Sequence, residues 1–203
     1  MLTTLILIPL VGAIVTAILP AQTARRVGLV FGLVTLAVAI TMAAQYDVGG
    51  GWQFTEQHQW INLFGAHYAL GVDGLGLVMI LLTVVLVPVV LVAAWREDDA
   101  GVAKYFAWAL ALESASVAVF AATDVFLFYV FFEVMLVPMY FIIGSFGGPR
   151  RQYAAMKFFI YSLVGGLVML AAVIGLYVVS SQHLAQGTFA FIASESKTPR
   201  VTL

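Results

Sequence analysis

Cysteine occurs nowhere in this chain. That excludes disulfides, thiolate metal sites, cysteine-ligated iron–sulfur clusters and a cysteine nucleophile. Charge is scarce too: 9% of the residues are Asp, Glu, Lys or Arg, and the net charge is −1. A chain so close to neutral offers nucleic acid no bulk attraction. Two of the three histidines, His58 and His67, fall in one loop. They have no third ligand at metal spacing, so they read as interfacial polar residues, and neither a metal nor a cofactor is expected.

Apolar residues fill the space instead. They make up 63% of the 203 positions, and the mean hydropathy is +1.06. Soluble domains average about 45–50% apolar. The composition excludes a soluble enzyme and points to an all-α, multi-pass membrane protein. Six segments are long enough to cross a bilayer: about 2–19, 27–44, 74–95, 104–122, 124–143 and 154–180. The first has no Lys or Arg before it, and Arg25 and Arg26 follow it. That is the reverse of a signal peptide's charge order, so it reads as a retained span.

Loop charge sets the orientation. Arg25, Arg26, Arg96, Lys104, Arg150, Arg151 and Lys157 flank the connections on one side. The connections on the other side, 45–73 and around Thr123, carry no Lys or Arg. The basic side faces inward, so the N-terminus is outside. Residues 1–180 read as one transmembrane helical domain and 181–203 as an outer tail, with Lys197 and Arg200 near its end. The outer loop 45–73 opens on Gly49-Gly50-Gly51. There Trp52, Phe54 and Trp60 interleave with Gln53, Thr55 and Gln59, and a second short run spans 67–70. Alternation of this kind predicts a β-hairpin with aromatics at headgroup level. Asp73 and Asp124 stand where they can cap the following spans.

Charge inside the spans is the functional signal. The fifth span, DVFLFYVFFEVMLVPMYFII, is apolar except for Glu133 near its middle. An ionised group at that depth costs at least roughly 2.5–3.5 kcal/mol, and spanning a membrane does not require it. Glu133 lies about 15 Å from the inner end of its span, and Glu113 on the fourth span about 13 Å from the same side. Both are candidate proton carriers, because a buried carboxylate can bind and release a proton and a moving cation nearby would switch its affinity. A structural, hydrogen-bonded acid is the alternative for each. Pro138, five residues past Glu133, removes an amide and frees the Val134 carbonyl, a helix break beside the candidate site. Lys157 enters the sixth span by only about 5 Å, either as a snorkelling interfacial lysine or as a group at the inner mouth. The pair Gly165-Gly166 reads as a close-packing site for a neighbouring helix.

With these residues placed, a resemblance emerges. The runs FLFYVFFEVMLVPMYFIIGSFGG (126–148), AMKFFIYSLVGGLVML (155–170) and EQHQWINLFGAHYALGVDGLGLVMILLT (56–83) resemble the subunit M family of NADH-quinone oxidoreductase, counterpart of mitochondrial NADH dehydrogenase subunit 4. The resemblance implies an antiporter-like subunit in the membrane arm of respiratory complex I, in the cell inner (plasma) membrane. Its partners would be the other membrane-arm subunits and the lipid bilayer, with NADH and quinone bound elsewhere. It would couple distant quinone reduction to proton transfer. It further implies that Glu133 is the family's essential fifth-helix glutamate, that Glu113 falls where a second acid often occurs, and that Lys157 matches a family lysine. Family members carry more helices than six, including a seventh-helix lysine that partners the glutamate. The chain is therefore expected to correspond to an N-terminal fragment, an incomplete antiporter-like unit. Two other classes compete: a subunit of a multi-subunit cation/proton antiporter, and a non-conducting membrane scaffold.

Overall fold

The computed structural model describes residues 1–61, 66–96 and 101–183. It holds six helices and one hairpin: α1 (Leu2–Ile18), α2 (Ala21–Ala44), β1 (Gln53–Ile61), β2 (Ala66–Val72), α3 (Gly74–Ala93), α4 (Val102–Ala121), α5 (Val125–Phe146) and α6 (Arg151–His183). All six expected segments form helices, and five of them are long and apolar enough to cross a membrane. Helices α2 to α6 each have 20 residues or more, and α1 has 17, at the short end of what a bilayer needs. The tail beyond His183, with Lys197 and Arg200, lies outside the described residues.

Several boundaries differ from those read off the charges. Helix α2 begins at Ala21, so Arg25 and Arg26 sit in its first turns rather than in a loop. Helix α6 begins at Arg151, three residues early, and α4 takes in Val102 and Ala103 ahead of Lys104. Long cationic side chains lay their stems along a helix and keep their heads in water, so a charge marks the interface without ending the helix. Pro20 stands immediately before α2, where a fixed φ and a missing amide cost little.

Both predicted caps are present. The Asp73 side chain accepts from the Gly76 amide at 2.7 Å. Asp124 accepts from Phe126 and Leu127 at 2.9 and 3.1 Å. Each cap satisfies amides that the first helical turn leaves unpaired.

Pro138 does not break α5, which runs through it from Val125 to Phe146. The expectation of a helix break is corrected. One missing amide removes one bond of the ladder, and packed neighbours hold the rest. Pro9 in α1 and Pro88 in α3 are also carried inside continuous helices.

The core forms two clusters. Leu2, Leu5, Ala39, Met42, Ile80, Val84, Val117 and Leu127 make one, with Leu70 and Val72 of β2. Ala13, Leu91, Val102, Phe106, Ala109 and Leu110 make the other. Helix α4 supplies both and is the most deeply enclosed span, whereas α6 packs chiefly on α5. Outward residues are bare and apolar: Ile14 is 62% exposed, Leu75 69% and Val168 68%. That collar suits hydrocarbon, not water.

The antiparallel hairpin pairs Glu56 with Leu70 and His58 with Tyr68. Strict alternation fails at Phe54, whose φ is +55°, where the register shifts between Gln53 and Glu56. This bulge turns the strand's start aside. The hairpin is pinned at three places. The Thr123 amide donates to the Ala69 carbonyl at 3.0 Å. A β-carbon on Gly71 would meet the Thr123 Cγ2 at 2.9 Å, so glycine lets β2 reach the α4–α5 turn. At the start of α1, the Met1 amino group and the Thr3 hydroxyl both contact the Glu56 carboxylate, and the Thr3 amide donates to it at 3.2 Å. Burial raises the Glu56 carboxyl, but these donors outweigh it and hold it below the ordinary value.

Candidate functional site: two intramembrane acids

Each acid lies eight residues from the helix end at the α4–α5 turn: Glu113 from Ala121 and Glu133 from Val125. Both are therefore about 12 Å below that turn. Their surroundings differ. Glu113 is fully buried, on the α4 stripe Phe106, Leu110, Glu113 and Val117. Phe106 and Leu110 belong to one apolar cluster and Val117 to the other, so the acid sits at the junction of the two. Neither of its oxygens has a hydrogen-bond partner among the described residues.

Glu133 is half-buried and belongs to a different seam. On α5 it shares a face with Tyr140 and Gly144, at helical spacing. These meet α6: the Tyr140 and Phe159 rings lie 5.5 Å apart, and a β-carbon on Gly144 would meet that of Ala155 at 3.3 Å. At the top of the seam the Glu133 carboxylate lies against Gly166. A β-carbon there would meet the carboxyl carbon at 2.9 Å and collide with Oε1. Oε1 is buried without a hydrogen-bond partner among the described residues. Tyr129 lies one turn back from Glu133 on α5.

Lys157 is not part of this seam. It is exposed, with its Nζ 5.9 Å from the Tyr153 ring centre and 5.8 Å from that of Tyr161. Nine residues separate it from Gly166, half a turn out of phase at about 100° per residue. It therefore points away from Glu133. Pro138 also faces elsewhere. It lines an apolar cavity of about 270 Å³ with Ile6, Leu10, Trp108, Ser114 and Phe131, between α1, α4 and α5. That cavity includes neither acid and is too apolar to serve as a polar path. A larger cleft of about 820 Å³ lies among Gly147–Tyr153 at the α5–α6 turn, and it too contains neither acid.

Reading the sequence alone missed the role of Gly166. The Gly165-Gly166 pair suggested helix packing, but nothing lies within 4 Å of a β-carbon on Gly165. Only Gly166 faces the acid.

Comparison with known proteins agrees with this architecture. The family described as NADH:quinone oxidoreductase/Mrp antiporter, transmembrane region, matches residues 122–197. NADH-quinone oxidoreductase subunit M of Mycobacterium tuberculosis is 46% identical over 94% of this chain and 40% of its own length. The subunit M of Rhodobacter capsulatus is 39% identical over 85% of this chain and 35% of its own. Among solved structures, respiratory complex I from Thermus thermophilus with bound NADH matches with a TM-score of 0.81 and 28% identity, covering 94% of this chain and 38% of that one. The Mrp complex from Dietzia shares the fold, with a TM-score of 0.76 at 20% identity over 92% of this chain and 20% of its own. The chain thus spans about two-fifths of the length of the curated relatives it matches.

Proposed function

For this chain, a homologue of NADH-quinone oxidoreductase subunit M with the membrane-subunit fold of complex I, we propose a role as the proton-translocating part of an antiporter-like subunit in the membrane arm of such a complex. Quinone reduction and NADH oxidation take place on other subunits. The redox step is not assigned to this chain, which has no cysteine to hold an iron–sulfur cluster. Its contribution is to the translocase reaction: a proton moves as electrons move elsewhere.

One observation carries the reading. Glu133 is an acid in the middle of an apolar span, lodged in a helix seam with a buried oxygen that has no hydrogen-bond partner among the described residues. Intramembrane acids of this kind mark ion and proton paths. Glu133 takes up a proton from one side and passes it on when the charge around it changes. A cationic group supplied by a neighbouring segment or subunit would provide that change, because Lys157 points away. Glu113, at the same level on α4, is a second proton-holding group. Lys157 acts at the inner mouth, holding the start of α6 at the interface.

The test is Glu133→Gln in the complete complex, which keeps the shape and removes the titration. Proton pumping is expected to be lost and coupled NADH oxidation to fall, with the complex still assembled. Normal pumping in that variant would sink the proposal.

A further inference from the structure

We infer that Gly166 is a positioning residue for Glu133: the side chain it lacks leaves the notch that holds the carboxylate on the α5–α6 seam. The inference rests on the reading of Glu133 as the proton-carrying group, and it adds a residue that touches no proton itself.

The geometry is specific. A β-carbon on Gly166 would meet the Glu133 carboxyl carbon at 2.9 Å and Oε2 at 3.5 Å, and would overlap Oε1. Outside its own helix backbone and chain neighbours, the three atoms nearest that β-carbon all belong to this one side chain. Elsewhere on the seam Ala155 packs close against Gly144 and Phe159 against Tyr140. The notch is therefore a single-residue gap in a packed seam, and the acid occupies it.

What a methyl group would displace decides the outcome. The atoms in its way are the end of a flexible side chain, not backbone, so the helices can keep their places while the carboxylate swings out. Alanine also favours the helix over glycine. The fold should thus survive Gly166→Ala, and the position of the acid should not. Proton transfer is sensitive to such a move, because misplacing a reacting group by ~1 Å can cost about 100-fold. Gly165, the adjacent residue, has nothing within 4 Å of its β-carbon and provides a matched control.

The experiment compares Gly165→Ala, Gly166→Ala, Glu133→Asp and the Glu133→Asp, Gly166→Ala double variant, each in the complete complex in native membranes. Two readouts are taken: proton transfer coupled to substrate oxidation, and labelling of residue 133 by dicyclohexylcarbodiimide, which reports how accessible its carboxyl is. Gly166→Ala should assemble normally, transfer protons at least about tenfold more slowly, and label at Glu133 several-fold faster. Gly165→Ala should match the parent in both. The double variant should transfer faster than Gly166→Ala alone, because the shorter acid draws its carboxylate back from the new methyl. Parental transfer and labelling in Gly166→Ala would overturn the inference. So would equal defects in both glycine variants, or failure of Gly166→Ala to assemble, since either makes the pair a packing element only. The labelling readout keeps the two proposals apart. If Glu133→Gln pumps normally, the functional reading is lost, yet selective labelling in Gly166→Ala still upholds the notch and unchanged labelling still refutes it.

Discussion

Glu113 and Glu133 sit at one depth on consecutive antiparallel helices and open onto different interfaces. Glu113 is enclosed at the junction of the α1–α4 core clusters, and Glu133 lies in the α5–α6 seam. Equal depth is implied by the sequence, but the face each acid occupies is not. The described cavity between α1, α4 and α5 is apolar and includes neither carboxylate.

This separation gives Glu113 a test of its own. Both of its oxygens are buried without hydrogen bonds among the described residues. Leaving a buried polar group unsatisfied costs about 1–3 kcal/mol. Glu113→Met keeps a long side chain and removes that cost. Its unfolding free energy in bilayers or mild detergent should rise by about that amount. A clear loss of stability would instead reveal a partner that the acid holds in the membrane.

Glu56 predicts a pH dependence outside the membrane. Its folded-state carboxyl is held below the ordinary value by the Met1 amino group and by Thr3. Such a group contributes stability above its unfolded value of about 4.3, and the contribution is lost as pH falls through the lower folded value. Amide exchange in β1, corrected for intrinsic rates, should therefore show protection at neutral pH that disappears in acid. In Glu56→Gln the protection should be weaker at neutral pH and should no longer change over that range.

Asp124 caps α5 through two amides, and Thr123 beside it bonds the hairpin. Removing an N-cap side chain costs about 1 kcal/mol. Asp124→Ala should lower the unfolding free energy by that amount and speed exchange of the Phe126 and Leu127 amides. Asp124→Asn should recover most of the loss. If alanine and asparagine behave alike, the cap contributes nothing measurable.

Lys157 should be separable from the acid. Its ammonium is flanked by Tyr153 and Tyr161, contacts worth about 0.5–1 kcal/mol each at exposed sites. Lys157→Gln should lower stability slightly and leave carbodiimide labelling of Glu133 unchanged. A changed labelling rate would mean that the two groups communicate despite lying out of phase on α6.

Much of this was legible in the chain. Six apolar runs gave six helices, alternation from Trp52 onward gave a hairpin, and Asp73 and Asp124 gave caps, because each signal is local and periodic. Helix ends were less legible. Arg25, Arg26 and Lys104 mark loops in the charge pattern, but an interfacial cation is tolerated inside a terminal turn. The faces of the acids were not legible either, since they depend on how α5 and α6 rotate against each other. Gly166 was the hardest to read. Its contribution is an absent side chain, and its partner lies 33 residues earlier, so no local pattern separates it from Gly165.

The hairpin's anchorage has a consequence for how the chain is made. Ala69 accepts from Thr123, and Leu70 bridges to Ala122, 52 to 54 residues later. At about 5–20 residues per second, ribosomes need roughly 3–10 s to supply the second half of that contact. For that interval β2 has been synthesised but its docking site at the α4–α5 turn does not yet exist. The hairpin cannot complete these contacts until α3 and α4 have been made, so correct topogenesis of the fourth helix is the event that lets the outer face close.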